Sequence, residues 1–102
     1  MAGTRLKRED FIAAIGFQGN IAFVDKKARR RFGKLSAGEL IDRGVYRAAF
    51  CAALYDSDSA AMDRLLAYYR DRLEGEYETA YDLGRLFGVD RAPEGVAHVK
   101  VL

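Results

Sequence analysis

The chain has 102 residues, half of them hydrophobic and 31% charged, with a formal net charge of +2; this predicts one compact domain over 1–102 with a single core, and excludes a disordered chain. The longest apolar run, Ala48 to Tyr55, is far shorter than the roughly 18 residues a membrane span needs, and the charged N-terminal decapeptide has no secretory pattern. Its one cysteine excludes an internal disulfide or a Cys-based zinc site, so a soluble, cytoplasmic protein with no membrane partner is expected.

Residues 11–25 read FIAAIGFQGNIAFVD. Phe11, Ala13, Ile15 and Phe17 alternate onto one face, Ile21 and Phe23 continue it, and Gln18-Gly19-Asn20 lies between. This predicts a hairpin of strands 11–17 and 21–25 with a three-residue loop. A competing reading starts a helix at Asn20, with Ile21, Val24, Ala28 and Phe32 on its stripe and Gly33 as its stop. The hairpin is preferred, with Asp25 capping a short basic helix over 26–32.

From residue 36 the pattern turns helical. Ser36 and Glu39 have capping-box spacing, and Gly44 supplies a left-handed stop. The stretch VYRAAFCAALY puts Tyr46, Ala49, Phe50, Ala53 and Leu54 on one stripe, with small residues that allow close approach, and predicts the central buried helix. Asp56, Ser57 and Asp58 form a turn and cap. Met62, Leu65, Leu66, Tyr69 and Leu73 then follow the clearest amphipathic spacing in the chain. A helix from about Tyr77 to Phe87 stops at Gly88, Pro93 and Gly95 break any continuation, and VAHVKVL alternates as a strand over 96–101.

The predicted architecture is α+β and mostly helical: four to five helices on a small antiparallel sheet made of the N-terminal hairpin and the C-terminal strand. The expected core is Phe11, Ile15, Phe17, Ile21, Phe23, Phe50, Leu54, Leu65, Leu66, Tyr69, Leu83, Phe87 and Val99.

Charge carries the functional signal. Lys26, Lys27, Arg29, Arg30, Arg31 and Lys34 place six of the chain's 17 Lys and Arg residues within one short segment. Residues 1–34 hold a balance of +6, and residues 35–102 a balance of −4. A fixed cationic surface concentrates anionic partners, nucleic acid first among them. On a helix, Lys27, Arg30, Arg31 and Lys34 share a face and would contact phosphates, with Lys26 and Arg29 at the rim. Arg5, Lys7 and Arg8 add charge nearby. The competing reading is a solvated helix face bridged to the acidic half of the chain.

Other signals are weaker. YDLGRLFGVD, at 81–90, reads like the first half of a helix-turn-helix, but Pro93 and Gly95 fall where a recognition helix would run. Asp56-Ser57-Asp58 with Asp63 lacks the spaced oxygens, glycine and late glutamate of a calcium loop, and capping explains the triplet. Cys51, within AAFCAALY, reads as a small buried hydrophobe. His98, the single histidine, has no partner motif for catalysis or metal binding.

The sequence thus predicts a non-catalytic binding domain presenting residues 26–34 to an anionic partner, with no cofactor and no metal. The alternative is a protein-interaction or self-assembly module, pairing with itself or another protein. It rests on the charge split and on tyrosines at 46, 55, 68, 69, 77 and 81, since interfaces favour tyrosine.

Overall fold

The structure, a computed structural model, describes residues 6–73, 77–89 and 96–102. Among them the order is α1 (Arg8–Ile12), β1 (Ala14–Gln18), β2 (Ile21–Val24), α2 (Lys26–Phe32), α3 (Ala37–Asp42), α4 (Tyr46–Asp56), α5 (Ser59–Arg72), α6 (Ala80–Phe87) and β3 (His98–Val101). The fold is α+β and mostly helical, as the periodicities predicted. The six described helices exceed the expected number because α1 takes residues that the sequence assigned to the first strand.

Helix α4 is the hub. Ala48 to Ala53 are all buried, because α1, α3 and α5 pack around it and its alanines let them come close. A helix apolar on every side is stable only when covered on every side. Leu65 and Leu66 of α5, Leu40 of α3, Leu83 of α6 and Phe11 of α1 complete the core. Local signals fix the ends of these helices. Ser36 and Glu39 form the predicted capping box, with Glu39 N–H donating to Ser36 Oγ at 3.1 Å and Ser36 N–H to Glu39 Oε1 at 3.2 Å. Asp58 caps α5 by accepting from Ala61 N–H, and Ser57 ahead of it takes a left-handed φ of 54°. Gly44 and Gly88 are the left-handed stops that the sequence named.

The sheet has the order β1-β2-β3, and here three expectations change. The hairpin loop is two residues, not three: Gln18 pairs with Ile21, and Gly19 takes φ +60° at the first central position, as a II′ turn requires. Strand β3 pairs with β2 in parallel, so the sheet is mixed rather than antiparallel. The inward face is also the opposite of the one predicted. Phe11 and Ile12 end α1, and a register shift between Ala14 and Gly16 makes Ile15 the extra residue of a bulge. In β2, Ala22 and Val24 are fully buried, and Ile21 and Phe23 only half-buried. Ile15, Phe17 and Val99 are exposed and leave the core list, while Leu54, Tyr69 and Phe87 pack at its margin.

Two shorter differences concern the C-terminal third. Helix α6 begins at Ala80 rather than near Tyr77, because Asp82 accepts from the backbone N–H groups of Glu78 and Thr79 and fixes the start there. The strand expected over 96–101 is confined to His98–Val101. Pro93 and Gly95, read as helix breakers, lie outside the described residues. No described helix is long and apolar enough to cross a membrane.

Candidate anion-binding surface on the basic helix

Helix α2 forms where the sequence placed it. Asp25 Oδ1 accepts from Ala28 N–H at 3.0 Å and caps the first turn. Arg29, Arg30 and Arg31 occupy the last turn, where positive charge meets the carbonyl end of the helix favourably. The hairpin holds the cap in place, since Asp25 N–H donates to the Ala13 carbonyl at 3.0 Å.

At roughly 100° per residue, α2 divides into two faces. Ala28, Arg29 and Phe32 fall on the half-buried side. Lys26, Lys27, Arg30 and Arg31 are exposed and line one hollow of about 400 Å³. Of the four cations that the sequence set on one face, Lys27, Arg30 and Arg31 line this hollow, together with Lys26. Lys34 is exposed beyond the C-cap Gly33, outside the described lining of the hollow. Arg31 lies 5.7 Å from the centre of the Phe32 ring, which holds its guanidinium along the helix surface. Among the described residues no carboxylate pairs with Lys26, Lys27, Arg30 or Arg31.

Arg29 stands apart from the other five. Its Nη1 donates to Asp10 Oδ1 at 3.1 Å, and the Asp10 side chain is only 7% exposed. A buried carboxylate needs a partner, and Arg29 is that partner. Arg8 is also committed internally. Its guanidinium grips both oxygens of Asp56 at 2.9–3.1 Å and donates to the Gly33 and Leu35 carbonyls at 3.1 and 2.8 Å. It joins α1, the turn after α2 and the end of α4. Arg47 does the same elsewhere, donating to the Ala14 carbonyl at 2.7 Å and the Phe87 carbonyl at 3.4 Å. Nothing local in the sequence marks these clasps. Which distant carbonyl or carboxylate an arginine reaches depends on the fold.

The remaining candidates take structural places. Burial pushes the Cys51 thiol up to about 11, against a smaller opposing pull from Arg47, so it is a protonated core side chain at neutral pH. His98 is exposed on the sheet, paired in register with Ile21. Asp56 is the partner of Arg8 and Asp58 is a cap, and no group of three or more metal-ligating side chains occurs among the described residues. In the helix-turn-helix-like segment, Leu83 and Val89 are buried and Phe87 is half-buried, while residues 90–95 are outside the described set and His98–Val101 is a strand.

The tyrosines form a layer that the sequence did not resolve. Tyr46, Tyr68, Tyr69, Tyr77 and Phe87 lie with ring centres 4.3–6.0 Å apart, and Phe87 continues inward to Phe50 at 5.3 Å. Tyr68 and Tyr69, adjacent in sequence, meet edge to face at 80° instead of both entering the core. The Arg72 guanidinium covers the Tyr68 ring at 4.0 Å. A hydrogen bond with Tyr68 and partial desolvation raise the Tyr46 hydroxyl above its usual range.

No family model, no curated protein and no solved structure matches the chain.

Proposed function

We propose that this is a small non-catalytic binding domain that presents residues 26–34 to an anionic partner, nucleic acid foremost, through the outward face of α2. The supporting observation is the hollow lined by Lys26, Lys27, Arg30 and Arg31, with no described carboxylate paired to any of the four. Arginine forks and lysine ammonium groups suit phosphate oxygens. Phosphate contacts supply affinity without base choice, so binding is salt-sensitive and weakly specific. A cytoplasmic setting fits this role.

The test is a titration of labelled duplex and single-stranded nucleic acid at low salt, repeated across a salt series. Four phosphate contacts give a slope of log affinity against log salt of about −3.6 on duplex DNA. Arg30→Ala flattens the slope by about one unit, and Arg43→Ala, at the exposed C-cap of α3, leaves it unchanged. Absence of binding to either form at tens of micromolar protein would refute the proposal. The second reading, a self-assembly or protein-interaction module, is favoured by exposed Tyr81 and Leu86 on α6. It predicts no salt slope, and sedimentation as a dimer or recovery with a protein partner instead.

A further inference from the structure

We infer that the outer edge of β3 is a docking site for an extended peptide segment that alternates apolar and acidic side chains. The ladder shows which backbone groups are committed. His98 and Leu102 donate to the Asn20 and Val24 carbonyls at 3.2 and 2.9 Å, so both point toward β2. Alternation along a parallel ladder turns the N–H and C=O groups of Val99 and Val101 the other way. Among the described residues no strand pairs with that edge. Every residue of β3 is exposed, Val99 and Val101 each at 39%.

The surroundings define the occupant. Val99 and Val101 pair in register with Ala22 and Val24, so they share the inward face of the sheet. There, with Leu6 and Val96, they line a groove of about 330 Å³ that also holds Lys7 and the Asp10–Arg29 pair. An added strand would project every second side chain into this groove, and apolar ones suit it. The alternate side chains would lie beside His98 and Lys100 on the other face, with Lys26 close by, since its N–H reaches the Leu102 carbonyl at 3.4 Å. Acidic residues there gain opposite-charge cross-strand pairs. A second copy fits poorly: antiparallel self-pairing centred on β3 sets Lys100 against Lys100, or brings the two Lys100–His98 ends together. Lysine at a sheet edge works against self-association, and the same charge selects an acidic strand.

The probe is a labelled peptide of alternating valine and glutamate, titrated into the full chain by fluorescence anisotropy. Saturable binding is expected. A version N-methylated at alternate residues, which keeps every charge but cannot form the ladder, should bind at least tenfold more weakly. Val99→Pro removes one outward N–H and no bond to β2, and should weaken binding to a similar extent while the circular dichroism stays native. Lys100→Glu should weaken it severalfold and create affinity for the alternating valine–lysine peptide, a reversal that needs no Val99→Pro protein. Equal binding of the N-methylated and parent peptides would overturn the inference. So would binding that survives Val99→Pro but is lost in Lys27→Glu/Arg30→Glu, which would make the peptide merely a polyanion on α2. A dimer that Val99→Pro dissociates would assign the edge to a second copy and overturn it too. Failure of nucleic acid to bind α2 leaves these outcomes unaffected.

Discussion

Removing the Arg8 guanidinium tests whether one side chain holds three elements together. Its ion pair with Asp56 joins side chains that are 24% and 37% exposed, so solvent screening leaves that pair about 0.2–1 kcal/mol. The bonds to the Gly33 and Leu35 carbonyls are partly buried, and each contributes about 1–1.5 kcal/mol. Arg8→Ala should therefore cost about 2–4 kcal/mol, a large part of a small domain's stability. Asp56→Ala should cost about 1 kcal/mol or less, because the carbonyl bonds survive it. Arg8→Lys should lose most of what Arg8→Ala loses, since one ammonium cannot span three acceptors. Urea unfolding followed by circular dichroism measures all three, with a constant m-value confirming that stability alone has changed. Raising the salt should shrink the Asp56→Ala cost and leave most of the Arg8→Ala cost in place. An Asp56→Ala cost as large as that of Arg8→Ala would refute the division between ion pair and carbonyls. A cost for Arg8→Ala below about 0.5 kcal/mol would refute the clasp altogether.

Three further outcomes can be measured on the same protein. Leu65→Ala, at a fully buried site, should cost about 2–5 kcal/mol in urea unfolding, while Ile15→Ala, at 58% exposure, should stay within about 0.5 kcal/mol. Gly33→Ala would set a Cβ 2.5 Å from the Arg29 carbonyl oxygen and 2.8 Å from Glu9 Cβ, and should cost about 1–3 kcal/mol, of which Glu9→Gly/Gly33→Ala should recover only the Glu9 share. Asp82 is held below its ordinary value of 3.8, chiefly by the Thr79 and Glu78 backbone N–H groups, so its contribution to α6 is complete above that value and fades as the pH falls through the lower folded one. The stability gap between the parent and Asp82→Asn should therefore be constant from pH 7 to pH 5 and narrow in stronger acid.

The helices were legible because their signals are local. The Ser36–Glu39 box, the Asp25 and Asp58 caps, the alanine-rich run at 48–53 and the Gly44 and Gly88 stops each act within a few residues. The face of the hairpin was not legible. Strand side chains alternate with a period of two, so the pattern of β2 allows either face inward; with Gln18 paired to Ile21, Phe17 falls opposite Ala22, and it is Ala22 and Val24 that are buried. Ala22 is too small to give a strong hydrophobic signal, yet it is fully buried as part of the core. For the candidate site, the sequence located the cations and the helix that carries them. It set Arg29 at the rim with Lys26 but could not show that Arg29 turns inward, since only the fold brings Asp10 against it. The parallel direction of β3 was equally hidden, because alternation in VAHVKVL carries no orientation.

Gly33 shows how two short helices share one point of support. Its φ of −61° is ordinary, so the residue is not there for backbone freedom. A methyl group there would meet both the Arg29 carbonyl oxygen of its own turn, at 2.5 Å, and Glu9 of α1, at 2.8 Å. The turn that ends the cationic helix is therefore also the seat of α1, and Arg8, one residue before Glu9, ties down the same turn through the Gly33 carbonyl. A ligand that tilts α2 on binding would tilt α1 with it and load the Asp10–Arg29 pair between them. Occupancy of the cationic face could then be read at a distance, as a change in the amide resonances of Glu9 and Asp10, neither of which lines the hollow on α2.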